Sequence, residues 1–156
     1  MTLLWNLILI YGNERKMMKN NINEFIKNNL KVKVLYKGED SLMKQSMTSS
    51  RLPQIVCSDG FKMSVQVGYS LYSEPKKVAK RYSKVEIGFP SEREPLIEEY
   101  VELGIFDTAQ GKGVDYTDTV YPYVPVKVVD KVLKKHGGID LTETLRRSDG
   151  LPKEAA

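Results

Sequence analysis

Gln54-Ile55-Val56-Cys57-Ser58-Asp59-Gly60-Phe61-Lys62-Met63-Ser64-Val65-Gln66-Val67 is the stretch on which the fold turns. Asp59-Gly60 is a strong hairpin signal, because a two-residue type I′ turn needs left-handed backbone at both positions. Such a turn places Ser58 opposite Phe61 and Val56 opposite Met63. Val56, Phe61, Met63, Val65 and Val67 then share one face, with Lys62, Ser64 and Gln66 on the other. A slip of one residue moves a strand's apolar set to the wrong side. Pattern and turn therefore argue for the same hairpin.

Downstream, Lys84–Phe89 alternates again, with Val85, Ile87 and Phe89 inward, and can pair antiparallel with the preceding strand. Ser73–Ser83 becomes the tip of a second hairpin. Pro90 ends the strand. Ser91 and Glu94 match a capping box ahead of a helix striped by Leu96, Ile97, Tyr100, Val101 and Leu103, with Pro95 in its first turn and Gly104 as its stop. Asp107–Thr119 reads as a loop. Val120–Val124 is a short strand, and Pro122 confines it to a sheet edge or an extended segment. Pro125 opens a last helix with a Val126, Val129, Val132 and Leu133 stripe. Lys131, Lys134, Lys135 and His136 cluster near its C-terminal end, and Gly137 is its cap.

Upstream, Asn20–Asn29 predicts a helix capped by Asn20 or Asn21, with Ile22, Phe25, Ile26 and Leu30 on one face. Leu30–Lys37 alternates, so a strand with Val32 and Val34 buried is expected, and Asp40–Ser50 reads as a loop. The order α-β-β-β-β-α-β-α predicts an α+β fold: a mainly antiparallel sheet of four to five strands with helices on one face. Residues 17–139 form a single domain on this reading. Residues 140–156 are a tail with one helical turn, capped by Asp140 with Glu143 three residues on, then frayed.

The 156 residues carry 24 Lys and Arg against 20 Asp and Glu, a net charge of +4. That length buries a core without disulfides, and the mild basicity is ordinary for a soluble protein. The chain holds one cysteine, Cys57, and one histidine, His136. No intramolecular disulfide can form, so a reducing cytoplasm is the expected location. Two isolated ligands do not make a zinc site, and neither metal nor cofactor is expected.

Leu3–Tyr11 is apolar but shorter than the roughly 20 residues a membrane-spanning helix needs, and no membrane association is expected. It lacks the flanks of a signal peptide. Residues 1–16 are an apolar leader that reads as an added edge strand, a short membrane-interface anchor, or a stretch outside the native product. In the last case Glu14-Arg15-Lys16 reflects a purine-rich ribosome-binding site, and translation starts at Met17 or Met18.

The strongest candidate site is the Ser73–Ser83 tip. Lys76, Lys77, Lys80 and Arg81 lie there between Tyr72 and Tyr82, and cations beside aromatic rings can grip phosphates and stack on bases. The competing reading is a solvated tip whose charges deter edge aggregation. Tyr121 and Tyr123 add an aromatic edge, since tyrosine buries a large ring while keeping a polar end. His136 reads as a cation at a helix end, without a partner that would make it catalytic, and Cys57 as inert. Asp107, Asp115 and Asp118 do not have the spacing of a calcium loop. Ala109–Gly113 does not fit a phosphate-binding loop. No catalytic residue is nominated.

Gly60–Gly68, Lys84–Ser91, Thr119–Pro125 and Lys135–Ile139 together resemble small proteins encoded by phages and prophages of low-GC bacteria. The resemblance spans about half the chain, and no functional residue carries over from it. Asp107–Asp118 and Leu141–Ala156 depart from the pattern. The group has no assigned activity. For a small phage accessory protein, the missing catalytic set, the tyrosine-rich edge and the basic tip lead to the expectation of a non-catalytic protein that binds and blocks a host protein or nucleoprotein complex, as anti-CRISPR inhibitors do. The expected contacts are Tyr72, Lys76, Lys77, Lys80, Arg81, Tyr82, Tyr121 and Tyr123. Direct DNA or RNA binding through the basic tip is the alternative. A small-ligand or enzymatic pocket beside the 107–118 loop is a third.

Overall fold

The computed structural model describes residues 19–103 and 113–150. The leader, the expected helix stop Gly104, residues 107–112 of the 107–118 loop and the frayed end expected at 151–156 lie outside them. The fold is α+β. In chain order it runs α1 (Ile22–Asn29), β1 (Lys31–Val34), α2 (Ser41–Ser46), β2 (Thr48–Arg51), β3 (Ile55–Val56), β4 (Lys62–Gln66), β5 (Lys84–Gly88), a 3-10 helix (Pro95–Tyr100), β6 (Val120–Pro125), α3 (Val126–Lys135) and α4 (Leu141–Ser148). β3-β4-β5-β6 form one antiparallel sheet, and β1-β2 form a separate two-stranded ribbon.

The core lies between the sheet and the helices. Phe61, Met63, Val65 and Val67 face Val85, Ile87, Tyr121 and Val124 on the sheet side, with Ile22, Phe25, Ile26, Val129, Val132 and Leu133 from α1 and α3. The alternation in β4 and the 3.6-residue stripe of α3 thus bury what they advertise. In β5 Val85 and Ile87 are buried, but Phe89, expected inward, lies past the strand end with a left-handed backbone and is 52% exposed. α1 starts where expected: Asn21 accepts from the Glu24 N–H, and Asp130 of α3 accepts from the Ile22 N–H at 2.8 Å. Two orphan donors at the start of the helix are satisfied from both sides.

The hairpin register differs by one. Ile55 pairs with Met63 and Val56 with Lys62, and the Cys57 N–H donates to Phe61 O. The turn therefore has three residues, Ser58-Asp59-Gly60, with the Gly60 N–H returning to Cys57 O and Gly60 left-handed at φ +92°. A type I turn closed by one left-handed glycine is the next commonest hairpin solution. The slip leaves β4 unchanged and flips β3. Ile55 and Cys57 join the core, while Val56 turns to α4, where its N–H donates to the buried Thr144 hydroxyl. The far side of β3 is also occupied. Ser58 N–H donates to Gly138 O, Asp140 N–H to Val56 O, and Cys57 bridges Ile139. α4 is accordingly two turns long and packed on β3, more than the single helical turn the spacing suggested.

Three other expectations change. Val32 and Val34 are 45% and 51% exposed, because the ribbon they form with β2 stands outside the core. Asp40–Ser50 is not a loop; Asp40 caps α2 through the Met43 N–H, and β2 follows. Ser91 is not a helix cap. Its N–H and hydroxyl exchange hydrogen bonds with the Lys62 backbone, and Glu94 caps a short 3-10 helix instead. β6 is the sheet edge that Pro122 demands, bulged where Pro122 and Tyr123 face a single residue of β5.

Candidate functional site

The segment between β4 and β5 is a closed loop rather than a strand hairpin. Its neck is tied by the Glu74 N–H to Lys84 O and the Ser83 N–H to Glu74 O. Ser73 is buried, accepting from the Gly68 N–H and donating to Pro75 O. Tyr82 is the loop's internal post. Asn23 of α1 exchanges two hydrogen bonds with its backbone, at 2.9 and 3.0 Å. Its hydroxyl accepts from the Ala79 N–H and donates to Lys77 O.

This arrangement sorts the expected contact residues. Lys76, Lys77, Lys80 and Arg81 are exposed. The ion pairs among the described residues use other cations: Lys84, Arg93, Lys135, His136 and Arg146. Lys76 lies 5.6 Å over the Tyr72 ring, itself edge-on to Tyr123 at 5.6 Å. Tyr123 is left-handed at φ +52°, in the β6 bulge, and its N–H donates to Tyr72 O. Tyr72 in turn donates its N–H to Glu86 and its hydroxyl to Glu102. Lys76 and two partly exposed rings thus come together on pinned backbone, with Lys77, Lys80 and Arg81 exposed on the same loop. Tyr82 and Tyr121 are corrections, because both are fully buried. Tyr121 donates its hydroxyl to Tyr116 O, and burial followed by the Glu98 charge pushes that phenol up to about 12. A ring that fills the core offers no surface to a partner.

A second constellation has no trace in sequence spacing. His136 is buried at the end of α3, its ring stacked on Phe61 at 4.0 Å. Its Nδ1 meets Asp59 Oδ2 at 2.6 Å, and its Nε2 meets Glu94 Oε2 at 2.7 Å. Glu94, 1% exposed, also accepts from Lys135 Nζ at 2.8 Å and from the Leu96 N–H. Burial would raise the Glu94 carboxyl, but the hydrogen bonds from Lys135 and His136 outweigh it and hold it below 4.5. The Phe61 N–H, ahead of His136, holds Asp59 below its usual range. Ionised carboxylates only accept, so both imidazole nitrogens carry hydrogen and His136 is an imidazolium. Burial opposes that charge, yet the bonds from Glu94 and then Asp59 raise the imidazolium pKa above its ordinary 6.5.

The chemistry of this cluster is that of a clamp. Neither ring nitrogen is open to a substrate. Cys57 nearby is buried and pushed up to about 12 by that burial and then by Asp59, so it stays a thiol. The clamp joins the 58–60 turn, the cap of the 3-10 helix and the end of α3. There, a Schellman closure sets Gly137 and Gly138 left-handed, with Gly138 N–H to Leu133 O and Gly137 N–H to Lys134 O. Among the described residues, no group of three His, Cys, Asp or Glu could hold a metal. No helix there is long and apolar enough to cross a membrane. Comparison with family models, curated proteins and solved structures finds no match to the chain.

Proposed function

We propose that this chain is a non-catalytic binding protein of a phage or mobile element that occludes a host nucleic-acid-handling complex, as anti-CRISPR inhibitors do. One observation carries the reading. Lys76, Lys77, Lys80 and Arg81 are exposed and without carboxylate partners among the described residues, on a loop whose backbone is pinned from within by Tyr82. Cations on a pre-ordered loop spare the backbone part of the ordering cost on binding, which favours affinity. Tyr72 and Tyr123, next to Lys76, supply ring surface with low side-chain entropy. A phosphate-binding groove in the partner is not the target of such a loop; an acidic or nucleic-acid-bearing face is. The clamped His136 supports the non-catalytic part, since the chain's one imidazole has both nitrogens engaged.

The test is affinity capture from host lysate with the wild-type chain and a variant carrying K76Q, K77Q, K80Q and R81Q. A stoichiometric protein partner retained by the first and lost by the second supports the reading. Absence of any such partner overturns it. The same unpaired cations favour a second reading, direct nucleic-acid binding. It requires affinity for purified DNA or RNA that falls linearly with the logarithm of salt concentration, with a slope reduced in the variant.

A further inference from the structure

The β1-β2 ribbon carries a surface that the reading above does not use. All four residues of β1, Lys31-Val32-Lys33-Val34, are exposed. A two-stranded ribbon is marginal in water unless a third strand or a packed face supports it. The register pairs Lys31 with Arg51, Val32 with Ser50, Lys33 with Ser49 and Val34 with Thr48. Just past the ribbon, the Leu35 N–H donates to Met47 O at 3.0 Å. In an antiparallel pair, hydrogen-bonded and non-hydrogen-bonded positions alternate. Leu35, Lys33 and Lys31 therefore bond inward to β2, while Val32 and Val34 direct their N–H and C=O groups outward. No strand among the described residues pairs with that edge.

The side chains restrict what can lie there. Lys31 and Lys33 point to one face, Val32 and Val34 to the other. A second copy of β1 laid antiparallel against the first sets Lys31 opposite Lys33 when Val32 meets Val32, and Lys33 opposite Lys33 when Val32 meets Val34, and like charges directly opposite are destabilising. A strand with acidic residues on one face and apolar residues on the other meets attraction on both. The lysines that deter self-pairing thus select for an acidic partner. Leu35, Leu42, Met43 and Met47 on the same arm are also exposed, and adaptable methionine-rich surface suits peptide docking.

We propose that the outer edge of β1 is a strand-addition site for an extended peptide segment of alternating acidic and apolar residues. The backbone groups of Val32 and Val34 supply affinity, and Lys31 and Lys33 supply selectivity.

The experiment uses the full chain with the synthetic peptide acetyl-EVEVE-amide, a scrambled peptide of the same composition, and acetyl-KVKVK-amide. Binding is followed by calorimetry and by amide hydrogen exchange at Val32 and Val34. The alternating acidic peptide is expected to bind and protect both amides. K31E combined with K33E is expected to weaken it by about tenfold and to transfer preference to the basic peptide. Equal binding of the scrambled peptide overturns strand addition. So does protection of Val32 and Val34 in the free protein, whether it rises with protein concentration, as for a second copy, or is lost on removing residues 1–16, as for a strand from the same chain. The Lys76–Arg81 variant is expected to bind the peptide normally, so failure here is separable from failure of the occlusion reading.

Discussion

The end of α3 and the 73–83 loop both present clustered cations beside aromatic rings, yet the fold treats them in opposite ways. Lys135 and His136 both meet the buried Glu94, and His136 also meets Asp59, stacks on Phe61 and is sealed into a seam at whose rim Lys135 lies half-exposed. Lys76, Lys77, Lys80 and Arg81 meet solvent, with no carboxylate in ion-pair range among the described residues. The difference teaches that a basic, aromatic run is a free surface only where tertiary structure brings no acid to it. In the seam, charge serves cohesion. On the loop, neutral groups (the Tyr82 hydroxyl, the Ser73 hydroxyl, the Asn23 amide) provide the cohesion and leave the charges unpaired.

His136→Ala attacks the seam and carries the largest expected effect. It removes two hydrogen bonds and leaves the buried Glu94 with Lys135 and the Leu96 N–H, a loss of about 3 kcal/mol typical of a broken buried pair. Denaturant unfolding monitored by circular dichroism checks it, and a loss under about 0.5 kcal/mol would show that the seam is not cohesive.

The pH dependence of stability sharpens the contrast next. The imidazolium pKa is raised in the folded state, so its contribution is complete below the ordinary 6.5 and is lost as pH rises through the raised value. Glu94 and Asp59 are lowered, so theirs are complete above about 4.5 and 3.8 and are lost as pH falls through the folded values. Stability should form a plateau between about pH 4.5 and about pH 6.5, falling on the acid side and, on the alkaline side, until the raised imidazolium pKa is passed. Glu94→Gln should shrink the alkaline fall. Melting temperature measured across pH reads both.

Tyr82→Phe takes the hydroxyl from inside the loop and strands the Ala79 N–H and Lys77 carbonyl. About 1 kcal/mol is expected, with faster hydrogen exchange at Ala79 and little change at Gly138. Neutralising the four loop cations should change stability least, within about 0.5 kcal/mol. If that variant unfolds instead, the charges are structural and the contrast fails.

Much of the fold was legible in the sequence. Alternation in β4 and β5, the α3 stripe, the edge position imposed by Pro122 and the Asn21 cap are local consequences of periodicity and backbone chemistry. The four loop cations were found because their neighbours along the chain suffice to place them at the surface. Three things were not legible. Asp59-Gly60 suits both two- and three-residue turns, and the register follows the 137–140 segment that pairs with the outer side of β3, about 80 residues away in sequence. Tyr82 and Tyr121 resemble Tyr72 and Tyr123 in sequence, but the core took the first pair. The alternation of β1 says that its two faces differ, and not that anything covers them.

The clamp marks the same division. The chain alone specifies a helix ending in cations and two left-handed glycines, a turn containing Asp59, and Glu94 just ahead of Pro95. Only tertiary structure brings Asp59 and Glu94, 77 and 42 residues from His136, onto its two ring nitrogens. Local propensity acts over a few residues, whereas the pairing of buried charges is decided by which distant groups lose their water together.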